Sequence, residues 1–171
     1  MEIKNPINQN SYAIYGLGLS GKSAFKFLKK KKVKKIYLWD DKKKLKFKMK
    51  LNYFKEVLNK VDYIIISPGI NIKKTRLKSV LIKNKKKIIT DLDLFYAQKL
   101  PIKSIMITGT NGKSTTCKLL QHILRTNKVD AQLGGNIGKP ILDLRIKKNS
   151  IVIIEASSFQ LSYICINTKC N

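Results

Sequence analysis

The sequence predicts an α/β protein in which parallel strands are joined by crossover helices. Short apolar runs that end in glycine or proline alternate with stretches whose apolar residues recur at helical spacing. Two of these runs lead directly into glycine-rich loops, GLGLSG and GTNGKS, each followed by a helical stretch. Strands that alternate with helices form parallel sheets with helices packed on their faces.

The composition indicates a globular protein without membrane spans. The chain has 171 residues, 43% of them hydrophobic, which suits one ordinary domain or one small domain with part of another. Its apolar runs stay well short of the roughly 18 residues that a membrane-spanning helix needs. The opening segment MEIKNPINQN lacks the apolar centre of a signal peptide, so we expect a cytoplasmic protein with no membrane partner.

The formal charge of +26 comes almost entirely from lysine. Only Arg76, Arg125 and Arg145 are arginines, although arginine is the better side chain for contacting phosphates and bases. The lysines are spread along the chain beside abundant isoleucine and asparagine, and all three residue types have A/T-rich codons. Genome base bias is the simpler explanation, so we expect no nucleic-acid partner. Steeply salt-dependent DNA binding would instead indicate a basic nucleic-acid-binding protein.

The cysteines do not predict a zinc site or a disulfide framework. Cys117, Cys165 and Cys170 include no C-x-x-C pair, and His122 is the single histidine that could join them. Cys117 falls on the apolar face of a predicted helix. We therefore expect Cys117 in the core and His122 at the surface or in packing.

The first half of the chain alternates strands with helices. The predicted elements are strands at residues 11–16, 35–40, 62–67 and 86–90, and a helix at 20–31. Ala24, Phe27 and Leu28 lie on one face of that helix. Thr90, with Asp93 three residues later, resembles a capping box that opens a helix in DLDLFYAQ.

The alternation starts again after Pro101, which predicts two domains, residues 1–100 and 101–171. The predicted elements of the second are strands at residues 103–108 and 150–156, a loop at 109–112, a helix at 114–126, and a strand with a glycine loop at 129–140. The helix is expected to turn inward Cys117, Leu120, Ile123 and Leu124. Since few strands are present, we expect this second domain to be incomplete.

The first glycine loop has the pattern of a dinucleotide site. Gly16, Gly18 and Gly21 fit G-x-G-x-x-G after a strand, and Asp40 ends the next strand. Such glycines let the backbone approach a diphosphate, and the helix N-terminus offers unpaired N–H groups. The pattern predicts a Rossmann-like fold that binds a nucleotide diphosphate. It leaves open an NAD(P)-dependent oxidoreductase, or a tight turn that binds nothing.

The second glycine loop predicts a triphosphate site. It follows a strand and opens a helix, so backbone N–H groups of residues 109–113 can converge on phosphates. Lys113 would contact the outer phosphates, and the Ser114 hydroxyl would bind Mg²⁺. The loop is two residues shorter than the general G-x-x-x-x-G-K-[ST] pattern, with Ile107 where the first glycine would stand.

In this shorter form, ITGTNGKSTT resembles the ATP loop of the Mur ligases. Four more segments resemble the D-glutamate-adding branch of that family, namely YGLGLSGKSA, IISPGI, LGGNIGKP and EASSFQL. They occur in the family's order between Tyr12 and Leu161, which is far more specific than any single motif. Another Mur-type ligase or a folate polyglutamate ligase is the closest rival, and the SSFQL segment argues against it.

The resemblance implies an ATP-dependent amide ligase of peptidoglycan synthesis, and thus a role in cell-wall biogenesis, cell shape and cell division. ATP would phosphorylate the terminal carboxylate of UDP-N-acetylmuramoyl-L-alanine, and the amine of D-glutamate would displace phosphate from the acyl phosphate. The implied cofactors are ATP and Mg²⁺. We expect a Rossmann-like UDP-binding domain, a truncated P-loop ATP-binding domain, and a monomer.

The resemblance also assigns roles by position. The residues that would hold ATP are Gly109, Thr110, Asn111, Gly112, Lys113, Ser114 and Thr115. The residues that would contact the UDP substrate are Gly18, Leu19, Ser20, Asp40, Ser67, Pro68, Gly69, Asn136, Ser157 and Gln160. Lys113, Asn136 and Glu155 are the predicted catalytic residues, and Ser114 and Glu155 the predicted metal ligands.

Two departures from the family pattern qualify these roles. Asp40 is followed by Asp41 and Lys42, where relatives carry an arginine-containing stretch, so the uridine contacts on that side are less defined. The family's later metal segment, carbamylated lysine and C-terminal domain have no counterpart in this sequence. We therefore expect no ligase activity from these residues alone. A non-catalytic protein that binds the UDP ligand is an alternative.

Overall fold

The computed structural model describes residues 3, 6–42 and 49–163. It contains seven strands: β1 (Tyr12–Tyr15), β2 (Ile36–Trp39), β3 (Tyr63–Ile66), β4 (Ile88–Ile89), β5 (Lys103–Ile107), β6 (Ala131–Gly135) and β7 (Ile151–Glu155). The α-helices are α1 (Leu19–Lys30), α2 (Leu51–Lys60), α3 (Lys78–Lys83), α4 (Asp91–Tyr96), α5 (Lys113–Thr126) and α6 (Ser158–Tyr163). Every predicted strand is present, and α2 and α3 were not predicted.

Two parallel sheets organise these elements, which confirms the predicted α/β class. The first has the strand order β2-β1-β3-β4 and the second β5-β7-β6. In the first sheet Tyr15, at the end of β1, pairs with Trp39 on one side and Ile66 on the other. From β1 the chain first adds β2 on one side and then adds β3 and β4 on the other side. The strand order therefore reverses beside β1. Ligands of open α/β sheets bind outside the carboxyl ends of the strands at such a switch point.

The first sheet is covered on both faces. Its central strands β1 and β3 are fully buried, which explains their continuous apolar sequences YAIY and YIII. On one face, α1 packs Ala24, Phe27 and Leu28, as its helical spacing predicts. On the other face, α2 packs Phe54 and Leu58. The two clusters give this sheet the layered core of a Rossmann-like fold.

Helix α4 connects the two sheets. The predicted capping box is present, because the Asp93 carboxylate accepts from the Thr90 N–H at 2.7 Å and from its hydroxyl at 2.8 Å. Leu94 of α4 belongs to the core of the first sheet. Leu92 and Phe95 pack instead with Val152 and Ile154 of β7. One short helix therefore contributes to both cores.

The second sheet is covered by α5 on one face. Cys117 packs against Ala131 and Ile153, with Leu120 and Leu124 beside them. The prediction that Ile123 also turns inward is wrong, because 48% of its surface is exposed. At about 100° per residue Ile123 lies roughly 120° around the helix from Cys117, outside the stripe that faces the sheet.

The starts of β1 and β3 are joined by a hydrogen-bonded pair, Ser11 and Asp62. The Asp62 carboxylate accepts from the Ser11 N–H at 2.8 Å and from its hydroxyl at 2.6 Å. The same hydroxyl accepts from the Asp62 N–H at 3.1 Å. These bonds from Ser11 are the main reason that the pKa of Asp62 lies below its ordinary value.

Replacing Ser11 with alanine is expected to lower the free energy of unfolding by about 1 kcal/mol at pH 7, since the pair is largely exposed. A carboxyl with a lowered folded pKa stabilises the fold above its unfolded pKa, and this contribution is lost as the pH falls through the folded pKa. The difference from wild type should therefore shrink in urea unfolding at about pH 3. An undiminished difference at low pH would show that the ionised carboxylate is not the partner.

Candidate functional site

The first glycine loop connects β1 to α1 and is tightly packed. Gly16 has a positive φ of 91°, which favours glycine. A Cβ on Gly21 would lie 1.9 Å from the carbonyl oxygen of Gly16 and 2.8 Å from the Ser67 hydroxyl. Gly18 has open space around it and precedes the first turn of α1. The first and third glycines thus shape the loop, and the second leaves its outer surface accessible.

The neighbouring strands hold this loop by side-chain hydrogen bonds. Asp40, just after β2, accepts from the Leu17 N–H at 2.6 Å. Ser67, just after β3, donates its hydroxyl proton to the carbonyl oxygen of Gly16 at 2.7 Å. Both are predicted site residues, and both also fix the loop. At least part of the hydrogen-bonding capacity of Asp40 is therefore used within the protein.

A cleft of about 460 Å³ opens at this switch point. Eight of the ten residues predicted to contact the UDP substrate line it: Gly18, Leu19, Ser20, Asp40, Ser67, Pro68, Gly69 and Asn136. Gly135, Gly138 and Pro140 of the second half close one side. Leu19 stands at the first turn of α1 with 78% of its surface exposed, so a ligand in the cleft can gain apolar contact there. The volume suits a small-molecule site.

The second glycine loop connects β5 to α5 and has the backbone of a phosphate loop. Gly109 and Gly112 both have positive φ, 146° and 75°, and Gly112 precedes the first turn of α5. The Lys113 ammonium donates to the carbonyl oxygens of Gly109 at 2.6 Å and Thr110 at 3.1 Å. A cation therefore lies over the loop, at the N-terminus of a 14-residue helix. This combination favours anions.

Ser114 and Glu155 form an oxygen-rich pair beside this loop. Ile107 and Glu155 are paired at the carboxyl ends of β5 and β7. The Ser114 hydroxyl donates to the Glu155 carboxylate at 2.8 Å, and Glu155 is only 5% exposed. Hydroxyl and carboxylate oxygens suit Mg²⁺, which takes few protein ligands when phosphates and water complete its shell. Among the described residues, no cluster of three or more His, Cys, Asp or Glu side chains could form an all-protein metal cage.

Asn136 joins the two regions. Gly135 has a positive φ of 109°, and a Cβ there would lie 2.3 Å from the carbonyl oxygen of Glu155. The backbone N–H of Asn136 donates to that same oxygen at 2.9 Å. Asn136 thus lines the first cleft while its backbone is fixed to the strand end that carries Glu155. Only a glycine at position 135 permits this approach.

The structure does not bring Ser157 and Gln160 into the lining of the first cleft. The Gln160 carbonyl oxygen accepts from the Ser157 N–H at 3.0 Å, and its amide donates to Asp91 at 3.0 Å. Gln160 is completely buried. Its polar atoms are therefore used within the protein, and its contact with the UDP substrate stays a prediction. The partner Asp91 was not predicted, because its acidic side chain in a first helical turn has an ordinary explanation.

Other polar features of the described residues do not form a competing site. A second cavity of about 700 Å³ includes Lys26, Lys30, Lys31, Lys139 and Arg145 in its lining and no residue of either glycine loop. A lysine-rich chain produces such basic surfaces readily. Cys117 is buried as predicted, and burial raises the pKa of its thiol, which disfavours a thiolate nucleophile. Cys165 and Cys170 lie outside the described residues.

Within residues 3, 6–42 and 49–163, no helix combines the length and apolar composition that a bilayer crossing requires.

The switch-point cleft and its glycine loop define a Rossmann-like α/β protein. Residues 10–90 match the model of the Mur ligase MurD-like N-terminal domain. This match identifies residues 10–90 as a MurD-like N-terminal domain of the Mur ligases.

Curated relatives extend the similarity beyond that domain. The chain is 35% identical to UDP-N-acetylmuramoylalanine--D-glutamate ligase of Wolbachia pipientis wMel, over 94% of this chain and 33% of that protein. It is also 39% identical to the protein of the same name from Buchnera aphidicola subsp. Schizaphis graminum, over 86% of this chain and 35% of that protein. The identity to the protein of that name from Rickettsia prowazekii is 34%, over 94% of this chain and 37% of that protein. The chain spans about a third of the length of these relatives.

Proposed function

We propose that the chain supplies the UDP-N-acetylmuramoyl-L-alanine site and the ATP site of a D-glutamate ligase of peptidoglycan synthesis. The observation that carries this proposal is the hydrogen bond from the Asn136 N–H to the Glu155 carbonyl oxygen. Asn136 lines the first cleft, and this bond joins it to the strand end that carries Glu155. A ligase that phosphorylates one substrate with another needs two such sites close together. The names of the relatives supply the identity of the substrates.

In the first cleft, the chain would bind the UDP end of the substrate. N–H groups at the first turn of α1 would donate to the diphosphate, as the open space around Gly18 permits. Leu19 and Pro68 offer apolar surface for the uracil ring. Since the Asp40 carboxylate holds the loop through Leu17, its role is to shape this cleft as well as to contact the uridine.

At the second loop, the chain would bind the ATP phosphates and neutralise their charge. Lys113 would exchange the carbonyl oxygens of Gly109 and Thr110 for phosphate oxygens. Ser114 and Glu155 would hold Mg²⁺, and the buried Glu155 carboxylate gains a compensating charge in that arrangement. When bound, Mg²⁺ supplies charge neutralisation and a fixed phosphate geometry.

The reaction itself transfers the γ-phosphoryl group. The L-alanine carboxylate would attack the γ-phosphorus and ADP would leave, which gives an acyl phosphate. The D-glutamate amine would then attack the acyl carbon, lose a proton and expel phosphate. The contribution of this chain to the first step is positioning and electrostatic stabilisation by Lys113 and the loop N–H groups. D-glutamate as the acceptor rests on the names of the relatives alone.

Calorimetric titration of the chain tests this proposal. UDP-N-acetylmuramoyl-L-alanine and Mg²⁺·ATP are both expected to bind. Removing Mg²⁺ with EDTA is expected to weaken the binding of ATP. NADH is expected not to bind. NADH is the matched control because it also carries a diphosphate, so it separates this proposal from an NAD(P)-dependent oxidoreductase. Binding of NADH without the UDP ligand would overturn the ligase assignment.

A further inference from the structure

The carboxylate of Asp41 lies where the ends of three neighbouring strands meet. Its Oδ1 atom accepts from the indole N–H of Trp39, the last residue of β2, at 2.9 Å. Its Oδ2 atom accepts from the hydroxyl of Tyr15, the last residue of β1. The Tyr15 hydroxyl is also hydrogen-bonded to the hydroxyl of Thr75, in the segment that follows β3. One carboxylate therefore connects all three segments, the third of them through Tyr15.

Each of these segments supplies residues to the first cleft. The glycine loop follows β1, residues 40–42 follow β2 and residues 67–70 follow β3, and all three contribute to the lining. Asp41 is itself exposed and lines the cleft, whereas Tyr15 is completely buried and does not. A ligand in the cleft can therefore reach Asp41 but not the side chain of Tyr15.

Both oxygens of the Asp41 carboxylate already accept a hydrogen bond from the protein. Burial, together with the bond to Asp41, raises the pKa of Tyr15 to about 12, so its hydroxyl remains a donor at neutral pH. The Thr75 hydroxyl accepts from the Leu77 N–H at 3.2 Å and can give its own proton to the Tyr15 oxygen. The network is thus complete without a ligand, which favours a structural role for Asp41.

The neighbouring residue Asp40 shows what this network holds in place. The Asp40 carboxylate accepts from the Leu17 N–H at 2.6 Å and from the Lys42 N–H at 2.9 Å. It therefore fixes the glycine loop and the turn after β2 to each other. Asp41 ties the same turn to Tyr15 and Trp39. Without that tie, the turn and the glycine loop would sample more arrangements, and a ligand would lose affinity by having to order them.

We propose that Asp41 is a positioning residue of the first cleft, which fixes the turn of residues 40–42 through Tyr15 and Trp39 and makes no contact of its own with the ligand. The inference rests on the proposed function, because the ligand of that cleft is the probe. An asparagine at this position could accept from Trp39 with its oxygen and donate to Tyr15 with its amide. The Tyr15 hydroxyl would then donate to Thr75, so the network needs the shape of Asp41 and not its charge.

Calorimetric titration with UDP-N-acetylmuramoyl-L-alanine tests this with three variants. Tyr15→Phe keeps the ring in the core and removes only the hydroxyl. It should weaken binding about fivefold, the effect of one lost hydrogen bond, although Tyr15 cannot touch the ligand. Asp41→Ala should weaken binding at least as much, and Asp41→Asn should restore the affinity to near that of wild type.

Tyr12→Phe is the matched control. It removes a hydroxyl from the other end of β1, where the ring packs in the core on the opposite face of the sheet. This variant should bind like wild type. Each titration is made below the thermal unfolding transition of its variant, followed by circular dichroism, so that unfolded protein is not counted as lost affinity.

Three results would overturn the inference and leave the proposed function intact. The first is wild-type affinity in Tyr15→Phe, and the second is an equal loss in Tyr12→Phe. The third is a loss in Asp41→Asn as large as in Asp41→Ala, which would make the carboxylate itself a ligand contact. Failure of the wild-type chain to bind the UDP ligand would overturn the inference and the proposed function together.

Discussion

Replacing Gly21 with alanine is expected to destabilise the protein by about 3 kcal/mol, a large fraction of the free energy of unfolding of an ordinary small domain. An added Cβ would lie 1.9 Å from the carbonyl oxygen of Gly16, which is backbone and cannot swing away. Alanine in a helix normally gains about 1 kcal/mol over glycine. The energy cost of the steric overlap is expected to exceed that gain, so the substitution should lower the free energy of unfolding.

Gly18→Ala is the control for this effect. A Cβ at Gly18 has no atom within 4 Å, and its φ of −67° suits any residue. Its cost should stay below about 1 kcal/mol, the scale of a changed helix cap. Urea unfolding followed by circular dichroism compares the two variants. If Gly21→Ala is as stable as Gly18→Ala, α1 is not held against the loop as the structure shows.

Replacing Lys113 with alanine is expected to weaken the binding of Mg²⁺·ATP by about 100-fold. The ammonium would make one or two charge-assisted hydrogen bonds to phosphate, each worth about 1.5–3 kcal/mol, and each 1.4 kcal/mol corresponds to a factor of about ten. The Lys113 contacts with Gly109 and Thr110 show that the side chain already lies over the loop. Binding of the UDP ligand to the first cleft should remain close to wild type.

The matched control is Lys118→Ala, which removes the same charge from the exposed surface of α5, more than one turn from the loop. Its effect on ATP affinity should be less than about twofold, since exposed charges at that distance are screened. Calorimetry at one fixed ionic strength measures both variants. Equal losses for the two lysines would mean that ATP responds to the overall charge of the chain, and the loop assignment would fail.

Local sequence patterns predicted the strands and the principal helices because each has a clear period or a glycine boundary. The YAIY and YIII runs are buried strands, and Thr90 with Asp93 forms a capping box. Helix α2 was not predicted, because its N-cap residue, Lys50, makes no side-chain capping hydrogen bond. Lysines also interrupt the apolar pattern before the helix. Periodicity also failed for Ile123, which lies outside the buried stripe of α5.

The candidate site was predictable where it follows glycines and strand ends. The residues of the first cleft, and the pairing of Ser114 with Glu155, lie together as those motifs suggest. The position of Gln160 was not predictable in this way. Its amide bonds to Asp91, 69 residues earlier, and no local pattern indicates that these two side chains meet. This hydrogen bond between the two halves therefore became visible only in three dimensions.

The double role of helix α4 also affects the order in which the chain folds during translation. Leu94 anchors the helix on the first sheet, while Leu92 and Phe95 point to strands that the ribosome synthesises later. Because nascent chains fold from the N-terminus, the first sheet can fix α4 before β5, β6 and β7 emerge. The second sheet would then assemble on an apolar template that is already ordered. We therefore expect the first half of this protein to fold first and to template the folding of the second.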